Sequence, residues 1–372
     1  MEKLFLQNMQ QSRIFKNQGI LLPEFTPSQL LHRENHLREI ASSLKPALKN
    51  LKPQNLLLFG PTGTGKTSSV KLVFSQLQDF SNKIQCIYLN CWGYPTKQAV
   101  LSHIAEQLKE TLPRRGLADD EIFHRIIERL KYEKKIAIIA LDEIDRLMHK
   151  NEVDVLYDLS RADENHKQIF AIIGITNSPE IYNSLDDRIK SSLGFRDLEF
   201  KQYSPQQLKD ILKERARDSL IAGSYSEEVI ALCAANGAKN RGDARIAIET
   251  LLQSAMKADF ANKSKIEISD VRDVMDKTSG ASLMKNSASM SENEQLLLEI
   301  LKDAKKKGTD LASGEIYEKF NAEKKKQKKE AVSERSILNY LQLFESARII
   351  STELSTDTKS GLGKTRIIKL IK

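Results

Sequence analysis

Apolar runs alternate with helix-spaced segments through the first half of the chain. Leu56-Leu57-Leu58-Phe59, Ile84 to Asn90, Ile136 to Leu141 and Ile169 to Thr176 are short and nearly continuous in apolar residues. Such runs read as strands buried on both faces, the pattern of a parallel sheet. Between them the spacing predicts helices, with Leu30, Leu31, Leu37, Ile40 and Leu44 on a first one. Others follow over Ser68 to Phe74, Gln98 to Leu108 and Asp120 to Lys131. Strands alternating with helices predict an α/β fold built on a parallel sheet.

From Ser204 onward the pattern turns to helices alone. Ser204 and Pro205 start one as cap and first residue, and it runs towards Leu220. A second covers Glu227 to Asn236, a third opens at Gly242-Asp243-Ala244-Arg245, and a short fourth covers Ser269 to Met275. Thr278 to Ser291 is rich in Ser, Gly and Ala and reads as a linker. Beyond it lie three helices, Glu292 to Lys306, Ser313 to Lys326 and Ser333 to Ser346, then strands over Arg348 to Leu354 and Arg366 to Ile371. Three helices and a β-hairpin make a winged helix-turn-helix. The expected division is an arm over residues 1–20, an α/β core over 21–200, a helical lid over 201–277, a linker over 278–290 and a winged-helix domain over 291–372.

The first apolar run leads into Gly60-Pro61-Thr62-Gly63-Thr64-Gly65-Lys66-Thr67, followed by Ser68 in a helix-competent segment. Strand, glycine loop and helix in that order are what a Walker A motif needs. The loop's backbone N–H groups and the helix N-terminus together favour the phosphates of ATP or ADP. Lys66 is placed to reach the β- and γ-phosphates, and the Thr67 hydroxyl to ligate Mg²⁺. The run Ile136 to Leu141 ends in Asp142-Glu143, a Walker B: Asp142 for the metal shell, Glu143 to orient and deprotonate a water. Asn177, at the end of the next strand, is a candidate partner of the γ-phosphate or that water, with a simple turn residue as the other reading. His32 reads as a packing or backbone-positioning residue rather than a catalyst.

Charge adds a second partner. The chain carries a net +8, and from Ser291 to Lys372 there are 17 Lys and Arg against 13 Asp and Glu, a net of +4. Duplex DNA is the acidic partner that fits, against a merely solubilising surface. On the third C-terminal helix Ile337, Leu341 and Phe344 form a buried stripe, while Arg335, Ser336, Asn339 and Gln342 lie on other faces and suit the major groove. Lys359, Lys364 and Arg366 belong to the wing, and Arg114 and Arg115 to an insertion whose charge suits phosphate contact or a decorated loop. The run Lys324-Lys325-Lys326-Gln327-Lys328-Lys329 reads as a phosphate grip or a solvated helix end. Three cysteines in no metal spacing, and no apolar stretch near membrane-span length, predict no zinc site and no membrane partner, with a cytoplasmic or nucleoid location.

With these residues in place the chain resembles the archaeal replication initiators of the origin-recognition-complex type, AAA+ ATPases with a C-terminal winged helix. The resemblance rests on Leu22 to Pro27 with His32-Arg33-Glu34, Gly60 to Thr67, Leu141 to Asp145, Thr176-Asn177, Leu185 to Leu193 and Gly242 to Arg245. It implies that Asn177 is sensor 1, Arg245 sensor 2 and Arg188 the arginine finger. The family usually has proline before that arginine; Asp187 stands here, and Arg196 is the alternate. The stretch from Gly93 to Gly116 resembles the initiator-specific insertion, which implies a second DNA contact. The resemblance also implies binding at replication origins, other initiator copies on DNA, and recruitment of the minichromosome-maintenance helicase. A winged-helix transcription regulator that uses nucleotide as a sensed ligand is the competing reading, and a clamp-loader-like or helicase-loading ATPase without sequence-specific DNA binding is a third.

Overall fold

A computed structural model describes residues 12–113, 117–166, 168–178, 180–183, 185–278, 292–306, 309–326, 332–346, 350–355 and 365–370. They form two compact units, divided between Ile268 and Ser269.

In the first unit, strands β1 (Leu56–Phe59), β2 (Ile84–Asn90), β3 (Ile136–Asp142), β4 (Phe170–Thr176) and β5 (Arg196–Glu199) pair in the order β2-β3-β4-β1-β5. Every pairing is parallel. The strand alternation sorts side chains into two layers. Leu57, Ile139 and Leu141 face one core with Val100, Ile104, Ile126 and Leu156. Leu56, Leu58, Ile138 and Ala140 face the other with Ile40, Val70 and Phe74. β3 and β4 are buried along their whole length because both faces are covered. Asn55 bonds across this sheet: its amide donates to the Leu193 carbonyl at 2.6 Å and accepts from the Ile172 N–H at 2.8 Å.

Three helices follow β5 in this unit, Pro205–Ser219, Glu227–Lys239 and Ala244–Phe260. The first starts as the sequence predicts, with a capping box between Ser204 and Gln207 and Pro205 in the first turn. The stretch read as an arm is more engaged than its polar composition suggests. Ile14 is buried, and the Lys16 and Asn17 N–H groups donate to the Ser219 carbonyl at 2.8 and 2.9 Å.

The second unit contains helices Glu292–Lys306, Ser313–Lys326 and Glu334–Ser346 with strands β6 (Leu311–Ala312), β7 (Ile350–Ser355) and β8 (Thr365–Leu370). The strands form an antiparallel sheet in the order β6-β8-β7, so the wing gains a short strand that two residues cannot announce in sequence. Ile337, Leu341 and Phe344 are buried as expected, against Ile316, Phe320 and Ile368. In the lysine run Lys324 is buried, while Lys325 and Lys326 at the helix end are exposed.

Asn55→Ala leaves two buried backbone groups without their partner. It is expected to lower stability by about 2–4 kcal/mol, read as a shift of the denaturant midpoint at unchanged slope.

Candidate nucleotide site

Glycine shapes the loop leaving β1, most tightly at Gly60 and Gly63. Gly60 has φ +140°, and a Cβ there would lie 2.2 Å from the Phe200 carbonyl oxygen. Gly63 has φ +71°, and its Cβ would lie 1.7 Å from an Asp243 carboxylate oxygen. The loop therefore packs against the backbone of the strand-to-lid link on one side and the Asp243 side chain of the lid on the other. Thr64 is fully buried, its hydroxyl donating to the Pro61 carbonyl at 2.8 Å, and Ser68 is half-buried in the first turn of helix Lys66–Phe80.

Lys66 is buried, and its ammonium donates to the carbonyls of Gly60 at 2.6 Å and Pro61 at 2.8 Å and to Asn177 Oδ1 at 2.9 Å. Burial pulls its pKa down to about 8, the Asp142 carboxylate opposing and Arg245 and Arg33 assisting. A desolvated lysine at a glycine cradle suits the phosphates of a nucleotide. The Thr67 hydroxyl donates to Asp142 Oδ2 at 2.6 Å, so a hydroxyl and a carboxylate converge as hard-oxygen donors that suit Mg²⁺.

The neighbouring strand contributes residues that the sequence reading missed. The Asn90 position pairs with Asp142 in the β2–β3 register. The Tyr88 hydroxyl donates to Asp142 Oδ2 at 2.9 Å. Glu143 takes a left-handed backbone, φ 55°, and Asn90 favours its charged form. Burial, then Asp142 and Asp145, raise the Glu143 pKa, the direction a base needs. Polar residues at the carboxyl end of an apolar run were the available signal, but only the strand order assigns them to this site.

The lid closes the loop from outside. Asp243 caps helix Ala244–Phe260 by accepting from the Arg245 N–H at 2.8 Å and also accepts from the Thr62 hydroxyl at 3.3 Å. The Ala244 N–H donates to the Gly63 carbonyl at 3.2 Å. The Arg245 side chain stays largely exposed, its Nε 3.6 Å from the Asp243 carboxylate. Arg188 is exposed on helix Asp187–Leu193, while Arg196 pairs with Glu39 at 3.0 Å.

On helix Glu334–Ser346, Asn339 is exposed, and the Ser336 hydroxyl shares a hydrogen bond of 2.9 Å with Ser333 at the helix start. Arg114, Arg115, Lys359 and Lys364 lie outside the described residues, as do the side chains of Arg335, Gln342 and Arg366. All three cysteines are buried and free, and no helix among the described residues is long and apolar enough to cross a membrane.

A P-loop, a two-acid strand end, an asparagine on the ammonium and a helical lid resting on the loop define an AAA+ ATPase. Residues 50–182 match the model of the AAA domain, and residues 209–276 that of the Cdc6 AAA+ ATPase-type lid domain. The chain is 33% identical to ORC1-type DNA replication protein 1 of Sulfolobus acidocaldarius over 98% of its own length and 92% of that relative's. It is similar to the solved structure of the Aeropyrum pernix ORC1 protein in complex with DNA, with TM-score 0.77, 32% identity and coverage of 97% and 94% of the two chains. It also resembles Cdc6p from Pyrobaculum aerophilum, with TM-score 0.66, 25% identity and coverage of 96% and 94%. The chain belongs to the family of ORC1-type DNA replication proteins.

A methyl group at Gly63 must displace Asp243 and strain the loop. Gly63→Ala is expected to weaken ADP binding by about tenfold or more in a fluorescent-nucleotide titration, with the nucleotide-free fold retained by circular dichroism.

Proposed function

We propose that the protein is a DNA replication initiator that binds duplex DNA at origins and works as an ATP/ADP switch. The observation that carries the switch is the lid contact on the phosphate loop, through Asp243 on Thr62 and Ala244 on Gly63. A group held in the loop is thereby felt by the helix that bears Arg245. Lys66 and Asn177 would hold the terminal phosphates, and Arg245 would reach them from the lid. Glu143 would orient the attacking water and take its proton. Thr67 and Asp142 would hold Mg²⁺, which neutralises phosphate charge when bound.

Arg188, exposed on helix Asp187–Leu193, suits a role in a neighbouring copy. Turnover by an isolated molecule is then slow, since an arginine finger contributes roughly 10³–10⁵ in rate. DNA would be held by the helix carrying Asn339, by the wing residues Lys359, Lys364 and Arg366, and by the insertion with Arg114 and Arg115. Two separated grips would bend or under-wind the duplex between them. The relative solved with DNA supports DNA binding, and recruitment of the replicative minichromosome-maintenance helicase is a further part of the proposal.

Two measurements test the reading. Glu143→Gln is expected to retain ATP while hydrolysis falls by at least about 10², the scale of a lost general base; turnover at the wild-type rate removes Glu143 from that role. Chromatin mapping in the source organism is expected to place the protein at origins. Occupancy confined to promoters instead identifies a transcription regulator.

A further inference from the structure

The turn His32-Arg33-Glu34 has no part in the phosphate chemistry above, yet Arg33 is only 4% exposed. A buried cation is costly unless its donors are met. Here backbone meets them. Nε donates to the Thr64 carbonyl at 2.8 Å, Nη2 to the Lys201 carbonyl at 2.6 Å and Nη1 to the His32 carbonyl at 3.2 Å. The guanidinium lies 4.0 Å from the Tyr203 ring centroid and 5.4 Å from that of Phe200. His32 takes a left-handed backbone, φ 62°, immediately before Arg33, and its ring shares a hydrogen bond of 3.0 Å with Asp210 on helix Pro205–Ser219.

These contacts fall on two different pieces of backbone. Thr64 belongs to the phosphate loop, and Phe200 to Tyr203 is the link from β5 to the first lid helix. A loop that turns its amide groups towards phosphate turns carbonyls of the same peptides outward, and the Thr64 carbonyl is one that Arg33 grips. A planar fork with fixed donors can hold two diverging carbonyls at once, which an ammonium on a flexible stem does poorly. We propose that Arg33 is a positioning residue that couples the phosphate loop to the lid: the loop conformation set by nucleotide is passed from Thr64 through the guanidinium to Lys201. The inference rests on nucleotide occupying the loop.

The test is hydrogen exchange of the full chain with and without ADP, on wild type, Arg33→Met and Arg33→Lys, with ADP binding titrated on the same samples. Met keeps an apolar body between Tyr203 and Phe200 and removes the fork; Lys keeps the charge. In wild type, ADP is expected to slow exchange of the amides from Lys201 to Ser204 by about tenfold or more. In Arg33→Met that increment disappears while ADP still binds, and in Arg33→Lys less than half of it returns. An arginine that served only stability would lower protection in both states and leave the increment intact, which overturns the proposal. So does a wild type that binds ADP without any increment. Should Arg33→Met fail to fold, a full wild-type increment in Arg33→Lys overturns it equally. Failure of wild type to bind ADP shows in the titration and sinks the nucleotide reading itself, and this inference with it.

Discussion

The structure depends on one close approach, that of the Gly60–Gly65 backbone to its neighbours. On one side the Phe200 carbonyl fills the space a Gly60 side chain would need, and on the other Asp243 fills that of Gly63. Side chains at these positions would hold the layers apart. Their absence lets the link after β5, the lid helix and the phosphate loop share one small volume. Within it a desolvated Lys66 is met by carbonyls and by Asn177 rather than by a carboxylate at close range. The electrostatic consequence is a positive, pre-shaped hollow whose natural counterion is a phosphate chain.

The parallel sheet explains why the acidic half of the site lies where it does. With β3 between β2 and β4, the carboxyl ends of three strands deliver Asn90, Asp142 and Asn177 to one edge, next to the loop leaving β1. Crevices outside the carboxyl ends of strands are where open α/β sheets bind ligands. Tyr88 then fixes the Asp142 carboxylate from the side, while burial acts most on Glu143, so the two acids are distinguished by their surroundings and not only by their order in sequence.

Much of this was legible before the fold was known, because Lys66, Thr67, Asp142 and Glu143 sit in motifs whose chemistry is local. The capped start at Ser204 and the buried stripe Ile337, Leu341, Phe344 were legible for the same reason. What was not legible depends on pairing at a distance. β5 has one buried residue, Leu198, among charged neighbours, so its alternation carries little signal. Ile14 is buried although the stretch around it is largely polar. Tyr88 and Arg33 acquire their partners from elements 54 and 31 residues away, Asp142 and Thr64 respectively, which no local periodicity can reveal.

The central claim is that the loop beside Asp243 and Phe200 holds adenine nucleotide through Lys66. Isothermal titration of nucleotide-stripped protein with ADP and magnesium measures it directly. One saturable site per chain is expected in wild type and none in a folded Lys66→Ala variant. Absence of saturable binding in wild type, or undiminished binding in that variant, would contradict it.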